Sequence, residues 1–435
     1  MGVCWRKRGG LGVAAAITVR GSSIAPLPRS GDCVKVSKKS TSNRAARRLL
    51  QAVMQAVLGL VIVVAGTVAF SGAAAASDAI PGGKLFAGGY FTQAGGTGAT
   101  SIAAWNGVDW SALSGPNGEG ADETVDAMTM YNGKLIAAGS FMEAGGVVVS
   151  GIASWNGTTW EPLVGSSGAI GVVVRPLGFV ASLAVYNGDL YVGGSFPRAG
   201  GVTVNNIARW NGSDWFALPG PSGVGTEYGG SVSAPVWDLT VVDGLLVVAG
   251  LFTSAGGVAA NSVAAWNGST WSSVGQPIEG ATVLAVENYN GALVASRAYS
   301  ENNFSVNDVA VRFNGQWSVL GGQPGGRLNG DVRDFTVYNG LLVAGGQFTH
   351  VGGVVVNNVA VWNGSTWSAL SGPAGVGTDG GVFAVTPHAG FLVVGGFFNN
   401  AGGQPAGKIA RWNGSAWSAL PGGGVNDNVF SLLST

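Results

Sequence analysis

Residues 105–110 read Trp-Asn-Gly-Val-Asp-Trp, and this short stretch decides the fold because it recurs along the chain. Seven copies carry an aromatic residue, then Asn-Gly, then a second Trp. The leading aromatics are spaced 50, 55, 56, 47, 49 and 50 residues apart: Trp105, Trp155, Trp210, Trp266, Phe313, Trp362 and Trp412. Asn-Gly is a strong hairpin signal because both residues tolerate the positive φ of a type I′ turn. Each copy therefore predicts a hairpin with such a turn.

Each repeat contains four short runs of β-branched and aromatic residues, which favour strands over helices. In the second repeat the first run, Val125–Tyr131, is followed by Asn132-Gly133 and a second run. A loop ending in Gly145-Gly146 leads to the hairpin described above. Repeats of about 50 residues with four strands are typical of the blades of a β-propeller.

The two ends of the repeat array complement each other. The first copy begins at residue 80 without its first strand, and residues 428–433 at the end of the chain match a first strand. The sequence therefore predicts an all-β fold for residues 77–435: a seven-bladed β-propeller of four-stranded antiparallel blades, closed by pairing of the C-terminal strand with the N-terminal blade. Closure of this kind removes the open ends of the array.

The N-terminal part has a different composition. Residues 1–50 hold 11 of the 22 Lys and Arg residues and one of the 22 acidic residues. A nearly uncharged run from residue 49 to 70 and four alanines, residues 73–76, follow. Basic, apolar and small residues in this order are typical of a secretory signal. We expect residues 1–48 to be a misassigned start or a cytoplasmic tail, and residues 49–76 to be a signal peptide or a membrane anchor.

This layout predicts an extracytoplasmic protein, secreted or anchored to the outer face of the cytoplasmic membrane. Residues 77–435 carry about ten more acidic than basic residues, which argues against nucleic-acid binding because phosphate contacts need a basic face. Both cysteines, Cys4 and Cys33, precede this part, so it has no thiol chemistry or disulfide. We expect no cofactor and no metal, a monomer, and contact with a membrane only through the N-terminal segment.

Glycine pairs accompany the Trp motif at Gly88-Gly89, Gly193-Gly194, Gly345-Gly346 and Gly395-Gly396. With these pairs, residues 80–435 resemble kelch-type β-propellers. The motif Gly-x-Phe-Thr-x-Ala-Gly-Gly, as in residues 250–257, is also similar to repeats of bacterial secreted propellers and of fungal cortical-marker ectodomains. The usual kelch Arg and His positions are absent, so the resemblance implies the fold and no particular partner.

Two of the predicted inner strands carry unusual residues. At one position of the inner strand, the first strand of each repeat, most repeats have a small residue. Two repeats have Asp238 and Asp334 there instead, and the residues before them, Trp237 and Arg333, are also atypical. An inner carboxylate must be solvated, paired or bound to a cation. These four residues form our candidate ligand site at the mouth of a central channel. The alternative is structural: Asp334 pairs with a nearby Arg and Asp238 faces channel water.

No set of acid and base groups at one face of the repeats predicts catalysis. The sequence therefore favours a non-catalytic binding or scaffolding module whose partner is a protein or a glycan. The first alternative is a glycan-active hydrolase or lyase on the same fold, because propellers host both binding modules and enzymes. The second is a structural or adhesion protein of the cell surface.

Overall fold

The computed structural model describes residues 2–3, 34–35 and 83–435, apart from 175–177, 232, 276–280, 302–303 and 322–325. The chain divides into two compact units, Met1–Ala76 and Ser77–Thr435. In the first unit, the described strands Gly2–Val3 and Val34–Lys35 pair antiparallel. The predicted export segment, residues 49–76, lies outside the described residues. Among the residues that are described, no helix is long and apolar enough to cross a membrane.

The second unit is all-β throughout its described part, and its strands form antiparallel sheets that we number 1 to 7. Sheet 1 contains the C-terminal strand Val429–Ser434 followed by Leu85–Gly89, Ile102–Trp105 and Trp110–Ala112. Sheet 2 contains Val125–Tyr131, Lys134–Gly139, Ile152–Trp155 and Trp160–Pro162. Sheet 3 contains Phe179–Tyr186, Asp189–Ser195, Ile207–Trp210 and Trp215–Ala217. Sheet 4 contains Val236–Val242, Leu245–Gly250, Val263–Trp266 and Trp271–Ser273.

Sheet 5 has more strands than the other six sheets, because its long third strand also pairs with a short strand beyond the four core strands. Its core strands are Val286–Tyr289, Ala292–Glu301, Phe304–Phe313 and Gln316–Val319, and it continues through Arg327–Leu328, His350–Val351 and Val354–Val355. Sheet 6 contains Val332–Tyr338, Leu341–Gly346, Val359–Trp362 and Trp367–Ala369. Sheet 7 contains Val382–His388, Phe391–Gly396, Ile409–Trp412 and Trp417–Ala419.

Short two-residue strands pair in the loops beside the sheets. They are Gln93–Ala94 with Thr97–Gly98, Ser114–Gly115 with Gly118–Glu119, Glu143–Ala144 with Val147–Val148, Arg198–Ala199 with Val202–Thr203, Pro219–Gly220 with Gly223–Val224, Thr226–Glu227 with Ser254–Ala255 and Val258–Ala259, Ser371–Gly372 with Gly375–Val376, and Asn400–Ala401 with Gln404–Pro405.

The sheets pack side by side through their first strands. The first strand of each sheet contacts the first strand of the next sheet, from sheet 1 to sheet 7, and the first strand of sheet 7 contacts that of sheet 1. Repeated four-stranded antiparallel sheets in this arrangement are consistent with a β-propeller. In the second repeat the first strand has the predicted bounds, Val125–Tyr131, and three further strands follow it, as predicted.

The Asn-Gly turns are of two kinds, and the sequence predicts only one of them correctly. Between the first two strands of sheet 2, Asn132 and Gly133 have φ of 48° and 74°, as a type I′ turn requires. After Trp105, only Gly107 has positive φ. There the side-chain oxygen of Asn106 accepts hydrogen bonds from the backbone N–H groups of residues 108 and 109, at 2.9 and 2.8 Å. The type I′ prediction is wrong for this turn, because the Asn side chain closes a longer loop.

The repeated Trp residues lie in the core between sheets, where large aromatic side chains bury much apolar surface. Eleven of the thirteen are buried, and Trp155 and Trp317 are half-buried. In most repeats the second Trp also donates its indole N–H to a carbonyl at the end of the preceding sheet: Trp160 to Leu113 at 2.9 Å and Trp417 to Leu370 at 2.9 Å, whereas the indole N–H of Trp367 has no such partner. One residue type thus supplies both apolar burial and a link between neighbouring sheets.

Candidate functional site

In sheets 1, 2, 3, 4, 6 and 7 a glycine lies opposite a β-bulge near the start of the first strand, as the second residue of a Gly-Gly or Ala-Gly pair. In sheet 6, Val332 pairs with Gly346 and Asp334 with Gly345, so Arg333 is an extra residue in its strand. A Cβ on Gly346 would lie only 2.0 Å from the carbonyl oxygen of Asp331. The bulge therefore requires glycine, and in return it turns one side chain out of the ladder.

The same bulge recurs around the molecule. Sheets 1, 2, 3, 4, 6 and 7 have one at the same point, with these extra residues: Phe430, Asp126, Ala181, Trp237, Arg333 and Phe383. In sheet 5, Leu284 holds the corresponding place, two residues before the pairing begins at Val286. The seven residues line one cavity of about 490 Å³, which we call the mouth. Its volume is within the usual range for small-molecule ligand pockets.

Aromatic side chains supply much of the surface of the mouth. Trp237 stacks on Phe179 with ring centroids 5.1 Å apart and an interplanar angle of 21°. Phe383 lies 5.4 Å from Phe397 and 5.5 Å from Phe430. The rings that line the mouth are only half-buried, so their faces remain accessible to a ligand.

A smaller cavity of about 170 Å³, which we call the throat, shares its lining with the mouth. All four candidate residues, Trp237, Asp238, Arg333 and Asp334, line it. The structure therefore brings the four residues together, although two belong to sheet 4 and two to sheet 6.

The carboxylate of Asp238 links three neighbouring sheets. One oxygen accepts hydrogen bonds from the Ser182 hydroxyl at 3.1 Å and from the backbone N–H of Leu239 at 2.7 Å. The other oxygen accepts the N–H of Val286, in the first strand of sheet 5, at 2.8 Å. Burial raises the pKa of Asp238 to about 6, against the lowering effect of these three donors.

Asp334 plays the same part between sheets 6 and 7. It accepts the backbone N–H of Val385 at 2.8 Å, and burial holds its pKa well above the usual range. The neighbouring Arg333 pairs instead with Asp331, at 3.1 Å, on the exposed rim. The expected alternative, in which Asp334 pairs with an Arg, is therefore not what the structure has. Both inner aspartates bind backbone of the next sheet.

Two further carboxyl groups lie in this region. Asp126 lines the mouth, its carboxylate accepts a hydrogen bond from Thr124 at 3.1 Å, and burial raises its pKa to about 6. Glu287, in the first strand of sheet 5, has its pKa raised to about 7, first by burial and then by the negative charge of Asp238. Among the residues that the structure describes, no three His, Cys, Asp or Glu side chains are placed to hold a metal ion.

Sequence reasoning missed Asp126, Phe179, Phe383 and Phe430 as lining residues. The first strands of sheets 1, 2, 3, 4, 6 and 7 share a valine, and the position at which most repeats have a small residue lies two residues after it. The bulge turns out the residue between these two positions. The glycine opposite this position was visible in the sequence, and the bulge it permits is the signal that links six of the seven mouth residues, all but Leu284.

Comparisons with known proteins give distant structural similarity only. No protein-family model matches the chain, and no curated protein matches it. A crystal structure of a protein from Lactobacillus plantarum is 12% identical, with a TM-score of 0.44, and the match covers 81% of this chain and 99% of that one.

Two further solved structures have described activities. A putative 6-phosphogluconolactonase from Bacteroides uniformis is 10% identical with a TM-score of 0.42, over 81% of this chain and 99% of that one. An exo-beta-1,3-galactanase from Phanerochaete chrysosporium is 11% identical with a TM-score of 0.30, over 70% of this chain and 79% of that one. Nothing about ligand or activity follows from similarities of this size.

Proposed function

We propose that residues 77–435 form a closed, kelch-like, seven-bladed β-propeller in which each of sheets 1 to 7 is one blade. Two observations support closure. The C-terminal strand Val429–Ser434 pairs along Leu85–Gly89, which completes the sheet that the N-terminal repeat begins. The first strands also contact one another in cyclic order, from sheet 7 back to sheet 1.

The proposed location is outside the cytoplasm, secreted or anchored to the membrane through residues 49–76. Its support comes from the order of basic, apolar and small residues before Ser77.

The protein acts, in this proposal, as a non-catalytic binding module that takes its ligand in the mouth. The observation that carries the proposal is the convergence of the seven residues at the bulge position on one open cavity of about 490 Å³. Half-buried aromatic faces together with a few polar groups are the composition of ligand pockets in general. Function on loops and rims held by a rigid scaffold is also the usual arrangement.

The carboxyl groups favour binding over glycoside hydrolysis. Hydrolysis of a glycosidic bond ordinarily uses two carboxyl groups on opposite sides of the bond. Asp238 and Asp334 each accept a backbone N–H of a neighbouring sheet, so their carboxylates have a structural role: they link neighbouring sheets. Among the described residues that line the mouth itself, Asp126 is the one carboxylic acid.

A thermal-unfolding screen of the full chain tests this proposal, with soluble polysaccharides and peptides as probes. A ligand present at 100 times its Kd adds about 2.7 kcal/mol, which raises the Tm by a few degrees. We expect the shift to be lost in Trp237→Ala and kept in Phe313→Ala, which changes an exposed ring outside the mouth. An equal shift in all three proteins contradicts the mouth as the site. Shortening of a bound polysaccharide favours the hydrolase alternative.

A further inference from the structure

The mouth has two aromatic walls on opposite sides of the ring of sheets. Phe179 and Trp237 belong to sheets 3 and 4, and Phe383 and Phe430 belong to sheets 7 and 1. In the cyclic order of the first strands, sheet 2 separates these walls on one side and sheets 5 and 6 separate them on the other. A ligand in the mouth therefore has an aromatic surface to either side.

Polar groups occupy the two gaps between the walls. Asp126 and Ser140 line the gap at sheet 2, and Arg333 and Gln347 line the gap at sheet 6. The Arg333 guanidinium is held on one edge by Asp331, at 3.1 Å, and Arg presents several further N–H donors in a planar fork. The mouth thus alternates apolar faces with hydrogen-bonding edges.

The charges select against an ionic ligand. An anion in the mouth meets Asp126, and the carboxyl groups of Asp238 and Asp334 line the adjoining throat. A cation meets Arg333 on the opposite side. Like charges juxtaposed at a binding surface lower affinity, whereas a neutral polar molecule meets no repulsion from either group.

We infer that the mouth binds neutral pyranose residues of a glycan, with the aromatic walls packing on the C–H faces of the sugars and with Asp126 and Arg333 binding their hydroxyl groups. A pyranose presents apolar faces and a polar edge, which matches the alternation of the lining. This inference rests on the proposed function, because it requires the closed ring and the mouth as its binding site.

Isothermal titration of the full chain with neutral gluco-, galacto- and manno-configured trisaccharides tests the inference, with trigalacturonate and a short basic peptide as charged probes. We expect at least one neutral trisaccharide to bind and both charged probes to bind at least tenfold more weakly. Trp237→Ala and Phe383→Ala should each lower the affinity by about tenfold or more, the size of effect expected for an aromatic anchor. Phe313→Ala is the control and should leave the affinity unchanged.

Trp237→Leu and Arg333→Gln are two more conservative variants, included in case an alanine variant fails to fold. The first keeps apolar volume without an aromatic face, and the second changes an exposed side chain. Absence of binding by every neutral trisaccharide overturns the inference. The proposed function still stands if a charged probe binds and Trp237→Ala abolishes that binding. Both proposals fail if a saccharide binds equally well to wild type and to every mouth variant.

Discussion

Sheets 5 and 6 are formed by two consecutive copies of the repeat, and they differ in the residues that lie opposite the start of the first strand. In sheet 6, Gly345 and Gly346 lie opposite the bulge at Arg333. In sheet 5 the corresponding residues are Ser296 and Arg297. The Ser296 hydroxyl accepts the backbone N–H groups of residues 284 and 285, at 3.3 and 2.9 Å, which takes over part of the strand pairing.

The side chain of Arg297 then requires a partner of its own. It forms two hydrogen bonds with the Asp308 carboxylate, at 2.7 and 2.8 Å, and Tyr299 donates a third to Asp308 at 3.1 Å. Both charged side chains are almost inaccessible, with exposed fractions of 4% and 0%. The comparison teaches that glycine at this position avoids both a backbone clash and a buried charge, whereas sheet 5 depends on an ion pair.

The largest expected effect comes from removing the partner of that buried charge. Asp308→Ala leaves the Arg297 guanidinium without its carboxylate, and breaking a buried pair in this way costs about 3–5 kcal/mol of unfolding free energy. Denaturant unfolding measures the loss. Glu301→Ala is the matched control, because the Glu301–Arg327 pair is largely exposed and such pairs contribute about 0–1 kcal/mol. Equal losses in the two variants would show that the buried pair is not what stabilises sheet 5.

A smaller effect is expected where sheet 6 depends on glycine. Gly346→Ala places a Cβ 2.0 Å from the Asp331 carbonyl oxygen, and the forced backbone shift should cost about 1–3 kcal/mol. Gly372→Ala is the control, since its nearest neighbour would be 3.5 Å away, an ordinary contact. The same denaturant series measures both. If Gly346→Ala is as stable as the control, the bulge in sheet 6 does not depend on this glycine.

The repeats made the strands of this fold predictable from sequence. Regular spacing fixed where each sheet begins, and the match of residues 428–433 to a first strand predicted the observed pairing of Val429–Ser434 with Leu85–Gly89. The turn after Trp105 was not predictable from Asn-Gly alone, because the Asn106 side chain competes with the backbone for the same N–H groups.

The residues of the site were predictable only where a residue differed from those at the same position in the other repeats. Trp237 and Arg333 stood out beside the two aspartates, whereas Phe383 and Phe430 did not, since aromatics are ordinary in strands. The roles of Asp238 and Asp334 depend on N–H groups of the next sheet, Val286 and Val385, which lie 48 and 51 residues along the chain. Contacts at such separations follow from the packing of sheets and not from local sequence.

The smallest expected effect concerns Glu287, the acidic residue of sheet 5 at a position where sheets 2, 4, 6 and 7 have Thr. Its pKa of about 7 lies above the ordinary 4.5, so the folded state holds a proton that the unfolded chain has lost. The resulting stabilisation is complete below pH 4.5 and is lost as the pH rises through 7. Glu287→Thr removes this dependence, so the variant should gain on the order of 1 kcal/mol over wild type between pH 4.5 and pH 8, less than the full shift in pKa implies because water screens this half-buried carboxyl group.

Thermal unfolding of both proteins from pH 4.5 to pH 8 measures this gain as a change in the difference between their Tm values. The difference is the useful quantity, because loss of the hydrogen bond from the N–H of Asn288 to Glu287 lowers the stability of the variant at every pH. Thr386→Ala, at the equivalent position of sheet 7, removes no titratable group and should show a difference from wild type that stays flat over the range. A flat difference for Glu287→Thr as well would mean that burial in the folded protein does not shift the pKa of its carboxyl group.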